Sequence, residues 1–146
     1  MNTNLITNNE EINNFHLPRW NEIPKIDLYL DQVVSFLEKY LSNYIESDSE
    51  KEEIITKTMI NNYVKLGIMP APTKKKYSRS HIAYLIVICV LKQVYSISDI
   101  GKLISLTIQY FELSKAYNRF CANLEVSIKN VFTRKEFPNV EKMTEE

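Results

Sequence analysis

The sequence predicts an all-α, mainly helical domain that carries at most one small β-hairpin. Apolar residues recur every three or four positions over most of the chain, which is the period of a helix with one buried face. The 146 residues include only two glycines, too few for a sheet-rich fold with many tight turns. Hydrophobic residues make up 45% and charged residues 25% of the chain, so we expect one ordinary globular domain.

A tail and an arm precede the first predicted helix. Residues 1–14 are rich in Asn and lack periodicity, which indicates a disordered tail. Pro18 and Pro24 exclude helix from the following segment, whose apolar side chains predict an extended arm packed over the core. The alternative is that Trp20 belongs to a partner-binding motif in this arm.

Two helices and an acidic linker come next. The first helix is predicted over 28–45, with Asp27 at its N-cap and apolar residues at three- and four-residue spacing. Residues 46–53 form an acidic linker that we expect to be solvated. The second helix, over 56–66, is short, and Gly67 stands where a left-handed residue ends a helix.

The second helix has two chemically different faces. Its predicted buried side consists of Met59, Ile60, Tyr63 and Leu66. One exposed stripe, at i, i+3, i+4 and i+7, consists of Thr58, Asn61, Asn62 and Lys65. The segment 69–77 follows, where Pro70 and Pro72 disfavour helix and predict two short extended arms joined by a turn. Three lysines are expected in the returning arm of this hairpin.

Two further helices are predicted after the hairpin. Ser78 caps a helix over 79–94, which is apolar nearly all round and therefore central to the core. Ser96 and Asp99 resemble a capping pair for a short fourth helix through Ile104.

A long final helix is predicted over 106–132, before a flexible tail at 136–146. Its apolar residues recur with a 3.5-residue period, which is typical of a coiled-coil seam. We predict a dimer interface formed by Leu106, Tyr110, Leu113, Tyr117, Phe120 and Leu124. The aromatic residues of this segment could instead line a pocket for a small-molecule effector.

Charge provides the first indication of function. From residue 54 to residue 98 the chain contains seven Lys or Arg and no Asp or Glu, although the whole chain has a formal net charge of zero. A concentrated basic segment is the usual electrostatic signature of a surface that meets phosphate. The stripe on the second helix adds Asn and Lys, which can bond to base edges in the major groove.

Other function classes have little support in the sequence. Neither glycine lies in a nucleotide-binding motif, and the His and Cys residues are too scattered for a metal site. Cys89 is flanked by Ile and Val, which favours an inert core thiol over a nucleophile. We therefore expect no enzymatic activity, no metal and no cofactor.

The expected location is the cytoplasm. The first residues lack the basic and apolar regions of a signal peptide, and the two cysteines do not form a disulfide framework. The longest apolar run, residues 82–91, is too short to span a bilayer.

Two resemblances support DNA binding. The block TMINNYVKLGIMP, followed by KKKYSRSHIAYLIVICVLKQVYSISDI, resembles the DNA-binding half of MerR-type winged-helix regulators. The matching elements are Asn62-Tyr63-Val64 through Gly67-Ile68, then Lys76-Tyr77, then Ser78. The wider pattern over about residues 15–105, including LPRW (17–20), is similar to a Gram-positive bacterial family known as domain of unknown function number eighteen thirty-six. That family assigns no activity.

The MerR resemblance implies a winged helix-turn-helix, with 56–66 as recognition helix, the 69–77 hairpin as wing and dimerisation through the last helix. We accordingly expect a tail (1–14), a DNA-binding domain (15–105), a dimerisation helix (106–135) and a second tail (136–146). Double-stranded DNA is the expected partner. The predicted DNA-binding residues are Lys57, Thr58, Asn61, Asn62, Lys65, Lys74, Lys75, Lys76, Tyr77 and Arg79.

The leading hypothesis is thus a dimeric, sequence-specific DNA-binding protein, most simply a transcriptional regulator. Asn and Thr side chains would specify bases, and Lys and Arg side chains would position the protein on phosphates. The alternative is a protein-interaction adaptor that keeps a winged-helix scaffold but binds an acidic protein partner instead of DNA. Its surfaces would be Trp20 with its proline-rich arm, the acidic first helix and the aromatic last helix.

Overall fold

A computed structural model describes residues 15–42 and 53–133, and these residues are mostly helical. Its five α-helices are α1 (Leu30–Leu41), α2 (Lys57–Lys65), α3 (Arg79–Leu91), α4 (Ile97–Tyr110) and α5 (Leu113–Thr133). Two short strands, β1 (Leu28–Tyr29) and β2 (Lys76–Tyr77), form an antiparallel sheet, and Trp20–Glu22 forms one 3-10 turn. The mainly helical class is confirmed. The two predicted tails and most of the acidic linker lie outside the described residues.

The chain divides into two compact units. The larger unit is Pro18–Asn118, and the smaller one combines Met1–Leu17 with Arg119–Glu146. All the elements from the 3-10 turn through α4 therefore belong to the larger unit.

The start of α1 corrects the predicted N-cap. Leu28 and Tyr29 pair with Tyr77 and Lys76, so the chain is still extended where the first helical turn was expected. Tyr29, not Asp27, occupies the N-cap, and its backbone N–H donates to the Gln32 Oε1 at 2.9 Å. The helix then buries a stripe of Val33, Leu37 and Leu41 and ends at Leu41.

Side chains of α1 help to position α2. The Glu38 carboxylate accepts a hydrogen bond from the backbone N–H of Ile55 at 3.1 Å, and Ile55 is fully buried. Lys57 forms an exposed ion pair with Asp31. Thr56, one of the two threonines that could cap this helix, is its N-cap: the Thr56 hydroxyl accepts the Met59 N–H at 3.1 Å and satisfies one of the unpaired N–H groups of the first turn.

α3 is buried on nearly all sides and contacts both β2 and α4. Its buried residues are His81, Ile82, Ala83, Leu85, Ile86, Ile88 and Cys89. Each fully buried Leu or Ile contributes roughly 1.5–3 kcal/mol, so this helix dominates the core of the larger unit. The prediction of a central helix is confirmed, although it ends at Leu91 instead of 94.

The last two helices differ from their predicted bounds. The predicted Ser96 cap is present, since its hydroxyl accepts the Asp99 N–H at 3.1 Å, but α4 continues past Ile104 to Tyr110. Phe111 is then extended, with φ −131 and ψ 144, and α5 begins at Leu113. The prediction of one helix over 106–132 is therefore wrong. The apolar period continues through Phe111, so the sequence pattern could not reveal the break between the two helices.

Contacts within the larger unit join the start of α5 to the proline-containing arm. The Tyr117 hydroxyl donates to the Pro18 carbonyl at 2.5 Å, and the Asn118 Oδ1 accepts the Trp20 N–H at 2.8 Å. The Trp20 and Tyr117 rings meet edge to face, with centroids 6.5 Å apart. The proline-containing arm is thus packed, as predicted.

The smaller unit contains a buried carboxylate. Glu125 is only 8% exposed, and its Oε1 accepts the backbone N–H of Leu17 at 2.9 Å and lies 3.4 Å from the His16 Nδ1. Cys121, one helical turn earlier, is fully buried. This acceptor satisfies a buried backbone donor that would otherwise cost about 1–3 kcal/mol.

Gly67 provides a test of the turn that ends α2. Its φ is +72, and a Cβ added there would meet nothing within 4 Å. Gly67→Ala should therefore lower the free energy of unfolding by about 1–2 kcal/mol, purely from the left-handed backbone. Urea unfolding measures this loss. Gly67→Asn is the control and should lose clearly less, because Asn tolerates this conformation; equal losses for Ala and Asn would contradict the explanation.

Candidate nucleic-acid interface

The polar stripe of α2 is exposed as predicted. On the opposite side, Ile60 is fully buried and Tyr63 is 4% exposed. The four exposed members of the stripe are Thr58, Asn61, Asn62 and Lys65. Leu66, predicted to be buried, is instead 59% exposed, because it follows the end of the helix and precedes the left-handed Gly67.

A tight turn at Lys74 and Lys75 forms the tip of the predicted hairpin. Both residues have positive φ, at 50° and 66°, and Thr73 and Lys76 exchange two backbone hydrogen bonds of 3.0 and 2.9 Å across them. Two left-handed central residues define the hairpin turn that normally favours Asn-Gly. The lysines thus lie at the apex instead of in the returning arm. The returning residues pair with β1.

His81 fastens this hairpin to the core, a role that the sequence analysis missed. Its Nδ1 accepts the Ser78 backbone N–H at 3.0 Å, which places the ring proton on Nε2. The Nε2–H then donates to the Ala71 carbonyl at 2.9 Å, and the Tyr77 ring packs edge to face at 5.4 Å. The available signal was spacing, since a polar residue three positions after an N-cap can bond back to it.

The lysines between positions 54 and 98 differ in how far they are engaged in contacts within the fold. Lys92 points inward, where its Nζ donates to the Ile54 carbonyl at 2.5 Å. Lys57 is paired with Asp31, and the Lys76 Nζ lies 5.3 Å from the centroid of the Tyr29 ring. The exposed lysines without such a contact to another described residue are Lys65, Lys74 and Lys75.

Arg79 and Tyr77 are corrections to the predicted DNA-binding set. The Arg79 Nε donates to the Ile23 carbonyl at 3.2 Å, and its guanidinium carbon lies 5.8 Å from the centroid of the Trp20 ring. One of its terminal nitrogens is buried without a hydrogen-bond partner. Tyr77 is 3% exposed. Tyr77 is therefore too buried to contact a ligand, and the partly buried Arg79 is engaged with the arm.

The predicted dimer seam is also changed. Leu106 and Tyr110 lie on α4, whereas Leu113, Phe120 and Leu124 lie on α5, so the six residues do not share one helix. Tyr117 is 2% exposed and belongs to the core. Dimerisation itself remains a prediction.

An open groove lies between the end of α2 and α4. Its volume is about 640 Å³, and it is lined by Leu66, Gly67, Ile68, Ile97, Ser98, Gly101, Lys102, Ser105, Leu106 and Gln109. A Cβ at Gly101 would approach the Ile68 Cγ1 to 3.2 Å, so glycine permits the close contact at the floor of the groove.

Three other features bear on function: possible metal ligands, the apolar length of the helices and the Cys89 thiol. Among residues 15–42 and 53–133, no three His, Cys, Asp or Glu side chains are grouped to hold a metal ion. None of the helices in this part of the chain is both long and apolar enough to cross a membrane. Burial raises the pKa of the Cys89 thiol to about 11, with Lys92 lowering it and Glu38 raising it further. That thiol is protonated at neutral pH and unsuited to nucleophilic attack.

These features define a mostly helical domain with a two-stranded antiparallel sheet, an exposed polar helix face and a basic turn. The model of a family described as "Domain of unknown function (DUF1836)" matches residues 18–120, which nearly coincide with the larger unit. The chain therefore belongs to this family, as its sequence resemblance suggested. No curated protein and no solved structure matches the chain.

The strain at the basic turn can be measured. Replacing Lys74 and Lys75 by Asn and Gly (K74N/K75G) should raise the free energy of unfolding by about 1 kcal/mol, because Asn-Gly adopts two positive φ angles with less strain. The matched control, K74A/K75A, removes the same charge and keeps the strain, so it should not stabilise. Urea unfolding distinguishes the two. Equal stabilisation by both variants would attribute the effect to charge instead.

Alkaline pH should destabilise the protein through Cys89 and Tyr63. Burial raises the pKa of both groups, to about 11 and about 12. An unfolded thiol ionises near pH 9, so the unfolded state loses its proton first and stability falls as pH rises from about 9 to 11. Unfolding free energies measured across this range should decline less steeply in Cys89→Ala. An unchanged slope in that variant would exclude the thiol as a cause.

Proposed function

We propose that this protein binds double-stranded DNA in a sequence-specific manner, as a MerR-like winged helix-turn-helix transcriptional regulator. The observation that carries the proposal is the polar stripe of α2, which is exposed and followed directly by an exposed basic turn on the same compact unit. A charge run alone would be a weak argument, because most charge runs are simply solvated.

The stripe has the chemistry and size of a major-groove reader. Asn61 and Asn62 can each offer an amide that bonds bidentately to adenine, and the shorter Thr58 hydroxyl can bond to either kind of base. A nine-residue helix is about 14 Å long at 1.5 Å per residue, comparable to the groove it would enter. Lys65, at the last turn, reaches toward a phosphate at the groove edge.

The basic turn suits the role of a wing. β2 leads out of the turn and pairs with β1, and β1 leads directly into α1, which contacts α2. Sheet and helix pair are thus joined through the backbone, and His81 fixes the Ala71 side of the hairpin. A rigid arrangement lowers the ordering cost of binding. Lys74 and Lys75 would then meet the phosphates beside the groove without specifying bases.

Two partly engaged lysines can join the contact. The ion pair of Lys57 with Asp31 is exposed, and pairs of this kind are worth about 0–1 kcal/mol, so a phosphate can compete for Lys57. Lys76 is exposed above the Tyr29 ring. Both lie beside the proposed contact surface, at the start of α2 and the base of the turn.

The adaptor alternative is less well supported. One of the surfaces on which it depended was Trp20 with its arm. Trp20 is instead held by Tyr117, Asn118 and Arg79 within its own unit. A side chain that is committed to the fold offers little surface for a second partner.

DNA binding can be tested with a site selected from random duplexes, followed by gel-shift titrations over a salt series. The dissociation constant should weaken linearly on a log–log plot, with a slope of about −0.9 for each phosphate contact. K74A/K75A should flatten the slope by about 2, whereas Asn61→Ala should mainly relax base preference at one position, by about 1–3 kcal/mol.

Lys115→Ala is the matched charge control. Its side chain is 82% exposed on α5, away from α2 and the turn in sequence, so its removal should leave the slope unchanged. If no duplex binds at low salt, or if K115A and K74A/K75A change the slope equally, the proposal is wrong.

A further inference from the structure

The second half of α4 exposes an apolar ridge. Leu103, Leu106 and Tyr110 are 49%, 57% and 74% exposed, and their i, i+3, i+7 spacing places them within a narrow arc of the helix. The buried residues of α4, Ile100 and Ile104, lie on another arc. The ridge is therefore a second apolar face, which the fold of the larger unit leaves uncovered.

The composition around the ridge is that of an interface core. The nine residues Leu103–Phe111 include no charged residue, although a quarter of the chain is charged. Depletion of charge is the compositional mark of the centre of a protein–protein contact. Phe111, 55% exposed, extends the apolar surface at one end of the ridge, and Leu66 extends it across the groove.

The exposed area approaches what a dimer needs. Five large side chains that are each roughly half exposed present on the order of 500–600 Å² of surface, against about 800 Å² per partner in a standard interface. The polar rim of the groove, with Lys102, Ser105 and Gln109, adds to this surface. A patch of this size is at the upper limit for a monomer surface.

The shape of this surface is complementary to itself. Leu106 belongs both to the ridge and to the lining of the groove, so ridge and groove run side by side along one helix. In a twofold contact residue i meets residue j and residue j meets residue i. If two α4 helices cross antiparallel near Leu106, then Leu103 of each faces Tyr110 of the other, and each ridge lies along the partner's groove.

We propose that the Leu103–Leu106–Tyr110 face of α4 is a homodimer interface that binds a second copy of this chain in an antiparallel arrangement. This keeps Leu106 and Tyr110 of the predicted seam, adds Leu103 on the same helix, and leaves out the α5 members, of which Tyr117 is buried. The proposal does not rest on DNA binding. If both hold, Leu66 places the interface next to Lys65 at the end of α2, so the dimer presents two related helices to two half-sites.

The test is sedimentation equilibrium of the full chain between micromolar and 200 μM, without DNA. The mass should be twice 17.2 kDa at the upper concentrations. Leu106→Glu should weaken the dimer at least 100-fold, because each chain contributes one charge near the symmetry axis. Val126→Glu is the control, since Val126 is 56% exposed on α5 and outside the ridge. Circular dichroism confirms that both variants fold.

The register has its own test. L103E and Y110K should each weaken association, and the double variant L103E/Y110K should restore at least tenfold of it, because Glu and Lys then face each other twice across the interface. Absence of this rescue would overturn the antiparallel arrangement. A chain that stays monomeric at 200 μM, or a dimer that is insensitive to L106E and broken by Leu124→Glu, would overturn the interface itself.

Discussion

The burial of α3 is the constraint on which the rest of the larger unit depends. The helix carries no residue of the proposed interface, yet its first turn holds the hairpin that bears the basic turn. The His81 Nδ1 accepts the Ser78 backbone N–H, and the His81 Nε2–H donates to the Ala71 carbonyl, which fixes that end of the hairpin. The Arg79 Nε donates to the Ile23 carbonyl of the arm. Because the seven buried residues of α3 cannot shift without opening the core, the hairpin and the arm that this helix holds have a rigid support.

The basic turn shows where stability has been given up. Two consecutive non-glycine residues with positive φ are unfavourable, and the two backbone hydrogen bonds between Thr73 and Lys76 enforce them. The Lys76 ammonium over the Tyr29 ring adds a further restraint at the base of the turn. Asn-Gly would adopt these angles with less strain, and a use for positive charge at the apex would account for lysine at both positions. Phosphate recognition is the use that we propose.

Local chemistry predicted much of this structure, and long-range contacts account for most of the failures. The caps at Thr56 and Ser96, the left-handed Gly67 and the central α3 all follow from nearest-neighbour patterns. The pairing of β2 with β1 joins residues almost fifty positions apart, and no local pattern carries that information. The break at Phe111 was hidden by a heptad period that runs through it. The contact of Arg79 with the arm could not be predicted, because charge in a sequence does not show which way a side chain points.

The small number of exposed lysines links the two proposals. Arg79 and Lys92 are engaged inside the fold, and Lys57 and Lys76 have partners at the surface, so Lys65, Lys74 and Lys75 are the main positive charges of the proposed interface. Three phosphate contacts correspond to a salt slope of about −3, which is small beside the slopes of six to ten contacts that tightly bound proteins show. A monomer with this surface would bind weakly. Two copies joined through α4 would double the contacts and make the second binding event intramolecular, which raises affinity without any new side chain. If both proposals hold, dimerisation would let so limited a basic surface hold the protein on a site whose bases the α2 stripe reads.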